Sequence, residues 1–206
     1  VLPVGERDIL VFYGVRSESD VATAGDVTII GNGTILGSRY IKPLPAGENY
    51  FHSLALGVDY KDFLEDVSLT GGGNFNTPVD YVNFVAEYRG TRTTDKSRFA
   101  FNLGVNLGVR DLGNSEAEFE NKRFEGGPNY FALSAGAEWL RDFGERGQLF
   151  LRADGQVAGG PLINNEQFTI GGVDTVRGYL QSQLLGDDGL VLSAELRSRS
   201  FASAIS

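Results

Sequence analysis

One loop of this chain sets a single arginine among glycines, in the run Gly171-Gly172-Val173-Asp174-Thr175-Val176-Arg177-Gly178-Tyr179. Glycine accepts backbone angles closed to other residues. Such a loop can therefore turn tightly and carry one guanidinium, a rigid five-donor fork suited to a carboxylate, into a confined space. That is the chemistry of a plug or latch, not of bond making. Other candidates for chemistry are weaker. His52 is the only histidine, which removes most support for a Ser-His-Asp triad or a multi-histidine metal site; beside Tyr50 and Phe51 it suits an interface. Gly71-Gly72-Gly73-Asn74 has no following Lys-Ser or Lys-Thr and no helical pattern after it, so it reads as an external turn and not a phosphate loop. Glu116, Glu118 and Glu120, with Lys122 and Arg123 close behind, read as a solvated charge run in a polar loop. Asp187 and Asp188, between glycines, read as a turn, because no ligand repeat at calcium-loop spacing accompanies them. No catalytic residue, metal site or cofactor is expected.

The elements that must position Arg177 follow from a period of two. From Arg98 to Arg110 the odd positions are Phe99, Phe101, Leu103, Val105, Leu107 and Val109, while the even ones are small or polar, among them Asn102, Gly104, Asn106 and Gly108. Successive side chains of a strand point to opposite faces. One face here is greasy and the other polar, as in a strand between lipid and a watery lumen; a soluble sandwich would show the same alternation. Leu54, Leu56, Val58 and Tyr60 repeat the pattern, as do Phe131, Leu133 and Trp139, and then Leu190, Leu192 and Leu196. About eight strands are expected, near residues 8–18, 34–43, 50–61, 79–89, 98–110, 129–141, 148–158 and 189–199. Their connections alternate long and short, which marks an up-and-down outer-membrane barrel with short periplasmic turns and longer external loops. Tyr50, Tyr60, Tyr130 and Trp139 lie near strand ends, where aromatic girdles belong.

Composition agrees. The 206 residues include 28 Gly, 14 Phe and 8 Tyr, with no Cys or Met. The longest apolar run, Ile9 to Tyr13, falls far short of the roughly 20 residues of a membrane-spanning helix. The net charge of -9 argues against a nucleic-acid partner, which needs basic patches. The chain begins at Val1 without a signal-peptide pattern, so a mature or excised piece is expected.

The run from Asn165 to Tyr179, followed by Gly186-Asp187-Asp188-Gly189 and a strand-like segment from Leu190, resembles the signature loop of the outer-membrane transporters of two-partner secretion, the TpsB proteins. These are relatives of the BamA-type barrel-assembly proteins. Phe119-Glu120-Asn121-Lys122-Arg123-Phe124, Tyr50-Phe51-His52-Ser53-Leu54 and Leu56-Gly57-Val58-Asp59-Tyr60 also look like segments of that family. The resemblance implies an all-β, antiparallel up-and-down transmembrane barrel, of which residues 1–206 are an open, central portion of a sixteen-strand plan. The signature loop would span 160–188, and N-terminal POTRA domains and flanking strands would lie outside the chain. It further implies a Gram-negative outer-membrane pore, in contact with lipid, that is not an enzyme and secretes a TpsA-type partner of adhesin or haemolysin kind. No small-molecule substrate is implied. A barrel-assembly or insertase role shares the loop, and a soluble all-β binding module is the other alternative. The functional loop motif comprises Gly171, Gly172, Val176, Arg177, Gly178 and Tyr179. In the family its arginine contacts an inner-wall Asp on an Asp-bearing segment that is not found after Arg199, which leaves Asp154 or Glu195 as the expected partner here.

Overall fold

Alternation and turn chemistry produce one large antiparallel sheet. The computed structural model describes residues 1–5, 7–22, 27–69, 73–113, 115–173, 175–180 and 182–198. Its strands are β1 (Leu2–Val4), β2 (Asp8–Ala22), β3 (Val27–Pro43), β4 (Tyr50–Leu69), β5 (Gly73–Asn76), β6 (Val79–Thr94), β7 (Ser97–Gly113), β8 (Tyr130–Asp142), β9 (Gln148–Ala158), β10 (Phe168–Ile170), β11 (Leu184–Gly186) and β12 (Gly189–Arg197), with one helix, α1 (Glu116–Lys122). The sheet order is β1-β2-β3-β4-β6-β7-β8-β9-β12, with β5 on the outer part of β4 and β10-β11 as a separate hairpin. The eight long strands are those the alternation marks, each next to its sequence neighbour. Among the described residues β12 pairs only with β9 and β2 only with β1 and β3, so the sheet is open. The edge differs from expectation in one respect: β2 is not the last strand, because Leu2–Val4 folds back onto it.

Several strands are longer than the alternation alone indicates. The hairpin of β2 and β3 continues as a ladder to Ala22 opposite Thr28, so what reads as a long connection at 19–33 is mostly strand. Paired backbone satisfies its own polar groups without needing an apolar face, and an extension above a membrane therefore need not carry the strict alternation of a lipid-facing strand. Residues 70–72 of the glycine-rich turn, and residues 199–206, lie outside the described residues.

The faces sort as the period demands. Leu56, Phe84, Leu103, Leu107, Phe131 and Leu192 stand on the convex side, all at least 40% exposed. From Tyr50 to Tyr60 along β4, a rise of about 3.3 Å per residue on strands tilted roughly 40° gives an apolar band about 25 Å tall, that of an outer-membrane barrel. No helix among the described residues is long and apolar enough to cross a membrane. On the concave side Asn106 accepts a hydrogen bond from buried Asn83 at 3.3 Å. Arg110, expected in line with Asn102 and Asn106, instead leaves the ladder where the β6-β7 register shifts, and there it meets Glu116 at the start of α1.

The tightest apolar packing also lies on the concave side, near the long-loop end. Val79, Tyr81, Phe119 and Ile163 are buried together, with Phe63 and Tyr130 against them. Phe119 comes from α1, so the stretch read as a solvated loop is corrected: it is a short helix. Its N-terminus is closed by Ser115 and Glu118, with the Ser115 amide and hydroxyl each 2.6 Å from the Glu118 carboxylate, and its one large apolar residue is driven into the lumen side.

Candidate functional site

The connection from β9 to β12 folds back onto the concave face and has two parts held in different ways. Its base starts after Ala158. Leu162 and Ile163 are buried, and a single 3-10 turn, Asn164–Glu166, follows. The Glu166 carboxylate accepts a hydrogen bond from the Tyr81 hydroxyl and pairs with Lys61 Nζ at 2.5 Å. Both partners project from the wall, on β6 and β4.

Asp187, in the return arm, is the second anchor. Arg123, just after α1, binds both of its carboxylate oxygens, and the same guanidinium donates to the Leu162 carbonyl at 2.6 Å. The Leu162 amide and the Gln167 side chain also donate to Asp187, at 3.0 and 3.1 Å. Gln156 of β9 donates to the carbonyls of Glu166 and Asp187 at 3.1 and 3.2 Å. Burial pushes the Asp187 carboxyl up, but the hydrogen bonds from Arg123, Leu162 and Gln167 outweigh it and hold the group below the usual carboxylate range. One guanidinium thus ties together the α1 loop and both arms of the signature loop.

Beyond the β10-β11 hairpin the loop narrows to its tip. Gly171 has φ +125, and a Cβ there would collide with the Leu180 carbonyl, so only glycine fits at the neck. The Gly171 amide donates to Thr175 Oγ1 at 2.8 Å, and Tyr179 closes a turn onto Val176. Gly172 and Gly178 also take positive φ. Arg177 reaches Glu195 of β12 with Nη2 3.1 Å from Oε1, and Arg197 holds the other oxygen of Glu195 at 2.9 Å. Of the two expected wall partners, Asp154 is not engaged by Arg177. It takes Arg152 at 2.5 Å two residues away on the same strand face. The tip pair is open to water, with the Arg177 side chain 73% exposed.

The wall beneath carries a further rigid group. Asp59, nearly inaccessible, takes both terminal nitrogens of Arg39 at 2.6 Å and the Tyr13 hydroxyl at 2.6 Å. Three strands are pinned by one carboxylate. Arg39 lies flat across Gly57, where a Cβ would strike its side chain, so the glycine keeps the guanidinium against the wall and out of the lumen. Ion pairs and hydrogen bonds between a loop and a wall are what this arrangement supplies.

A model of the haemolysin secretion/activation protein ShlB/FhaC/HecB family matches residues 50–206. This chain belongs to that family. Family members are transporters of the Gram-negative outer membrane, and that membrane is where the convex apolar band belongs. Among solved structures, CdiB from Escherichia coli shares the fold with a TM-score of 0.69 at 17% identity, over 91% of this chain and 34% of that one. The chain therefore spans about a third of the length of CdiB. No curated protein matches the sequence.

Within this ShlB/FhaC/HecB-family wall, sequence reasoning picks out the tip and misses the base. Arg123, Asp187, Lys61, Glu166 and Tyr81 are the residues that seat the loop. One signal for part of this was available: Ser115 with Glu118 three residues on is a capping-box spacing that announces α1. Nothing local announces that Arg123 meets Asp187.

Proposed function

We propose that this chain forms the central wall and lumen loop of an outer-membrane translocator. Its full-length parent, with flanking strands and periplasmic POTRA domains, would pass a large TpsA-type partner of adhesin or haemolysin kind out of the cell. The observation that carries this reading is the seating of residues 159–188 against the polar concave face by charged side chains. A loop that lies over the lumen face yet is held at its tip, among the described residues, by one water-exposed ion pair can be displaced by a passing polypeptide, since such pairs contribute only about 0–1 kcal/mol. The convex face fits lipid, and the concave face, with its ion pairs and small residues, fits a hydrated chain in transit. The family membership supports transport as the task, and the loop supplies its gate.

The test is Arg177→Ala in the full-length parent protein. Secretion of the partner should fall while the barrel still assembles at the wild-type level, because the strand ladder is untouched. Normal export at unchanged protein level would reduce Arg177 to an ordinary loop residue.

A further inference from the structure

Several cations on the concave side of the sheet are paired in a way that two on the convex side are not. On the concave side Arg39, Lys61, Arg89, Arg152, Arg177 and Arg197 each sit within 4 Å of a carboxylate. On the convex side, at the short-turn end, Arg92 and Arg141 form no ion pair among the described residues. The nearest acid along β8, Asp142, is on the opposite face and already accepts from the Gly144 amide at 2.7 Å.

The register puts these two arginines around one aromatic pair. Arg92 lies opposite Phe99 and Phe99 opposite Trp139, while Arg141 stands two residues beyond Trp139 on the same face and opposite Ser97. Arg92 and Arg141 are two strands apart, a lateral separation of about 10 Å. Alongside runs a belt of touching rings. Tyr50 stacks on His52 at 4.8 Å, His52 meets Tyr88 edge-on, and Tyr88 meets Phe101. Such a belt marks the level of lipid headgroups.

From Trp139 toward the middle of the band the convex surface is hollowed. One depression of about 460 Å³ is bounded by Phe99, Trp139, Leu151 and Leu192. A second, of about 470 Å³, continues it between Phe101, Leu103 and Leu190. Both are walled mainly by apolar side chains, and Trp139, which lines the first, stands two residues before Arg141 on the same face. We propose that this face binds an anionic glycerophospholipid of the periplasmic leaflet, with its phosphate between Arg92 and Arg141 and an acyl chain in the hollow beside Trp139. Charge complementarity selects the anionic headgroup: two unpaired guanidiniums at the interface suit phosphate oxygens, whereas a zwitterionic headgroup brings its own cation. This rests on the outer-membrane placement of the family and not on the transport reading.

Trp139 is the only tryptophan of the chain and reports on the site directly. The full-length parent, reconstituted in vesicles of phosphatidylethanolamine, is given a minor fraction of bromine-labelled phosphatidylglycerol or, separately, of phosphatidylethanolamine with the same labelled chains. Emission from Trp139 is taken as the difference between the protein and its Trp139→Phe variant. Labelled phosphatidylglycerol should quench more strongly, with an enrichment of roughly fivefold for each arginine. Arg92→Gln with Arg141→Gln should make the two lipids equal, with folding verified by heat-modifiable gel mobility. Equal quenching by both lipids in the unaltered protein overturns the proposal, as does a preference that survives the double substitution. Quenching by neither lipid overturns it too, since that face would then be covered by protein. Secretion, measured in parallel, distinguishes this outcome from failure of the transport reading.

Discussion

At the residue scale the decisive contact is between Arg123 and Asp187, whose side chains are 31% and 24% exposed. Removing one partner leaves the other partly buried without its counter-charge, a larger loss than the net value of a surface pair. Arg123→Ala should therefore weaken the seating of the loop by about 1–3 kcal/mol, read as faster amide exchange in residues 159–168. The same contact gives a pH signature. The folded carboxyl sits below its unfolded range, so its contribution is complete above about pH 4 and is lost as acid titrates the folded form. Loop protection should fall more steeply with acid in the wild type than in Asp187→Asn, which keeps only the Glu166 carboxylate anchor at the base, and an equal acid response in both would remove Asp187 from the latch. This contact was illegible in the sequence for a physical reason. The partners are 64 residues apart, Arg123 lies in what reads as a solvated charge run, and only the fold-back of two loops onto one wall joins them. Arg177 was legible because its glycines show in the sequence the backbone geometry the tip requires.

At the scale of elements, the long strands were readable because a membrane makes alternation strict: each lipid-facing position must be apolar and each lumen-facing one need not be. Leu103 illustrates the rule, being 48% exposed on the convex face midway between Phe99 and Leu107. Leu103→Arg should destabilise the folded barrel in vesicles by about 2–4 kcal/mol if the site lies near the bilayer midplane. The same change at Asn102, one residue along and facing the lumen, should cost far less. Urea titration of the two variants in the full-length protein checks this, and equal losses would mean the register is wrong. Where no lipid imposes the pattern, the reading falters. The outer part of the β2-β3 hairpin carries no sustained alternation, and α1 is a helix of seven residues with one buried anchor, too short for a 3.6-residue period to show.

At the scale of the whole molecule, the open sheet is a rigid wall with a loop of two mechanical grades. The base is anchored to four elements, through Lys61 on β4, Tyr81 on β6, Gln156 on β9 and Arg123 after α1. Among the described residues the tip is anchored to one, through the exposed Arg177 pair, with Val173, Tyr179 and Leu180 all more than half exposed. Local opening free energies follow buried contacts and anchoring, not the mere presence of backbone hydrogen bonds. Amides of the tip do have partners, including Thr175 to Gly172 and Tyr179 to Val176, so a contrast in exchange would report anchoring. Hydrogen exchange on the full-length protein should show residues 171–180 opening at least roughly tenfold faster than 159–168, and Arg123→Ala should bring the base toward the rate of the tip. That outcome would describe a gate whose tip swings on a fixed base at the Gly171-Gly172 neck. Equal, slow exchange along the whole loop would instead mean that the tip is part of the fixed lid, and that passage through the lumen requires α1 and the entire loop to leave the wall together.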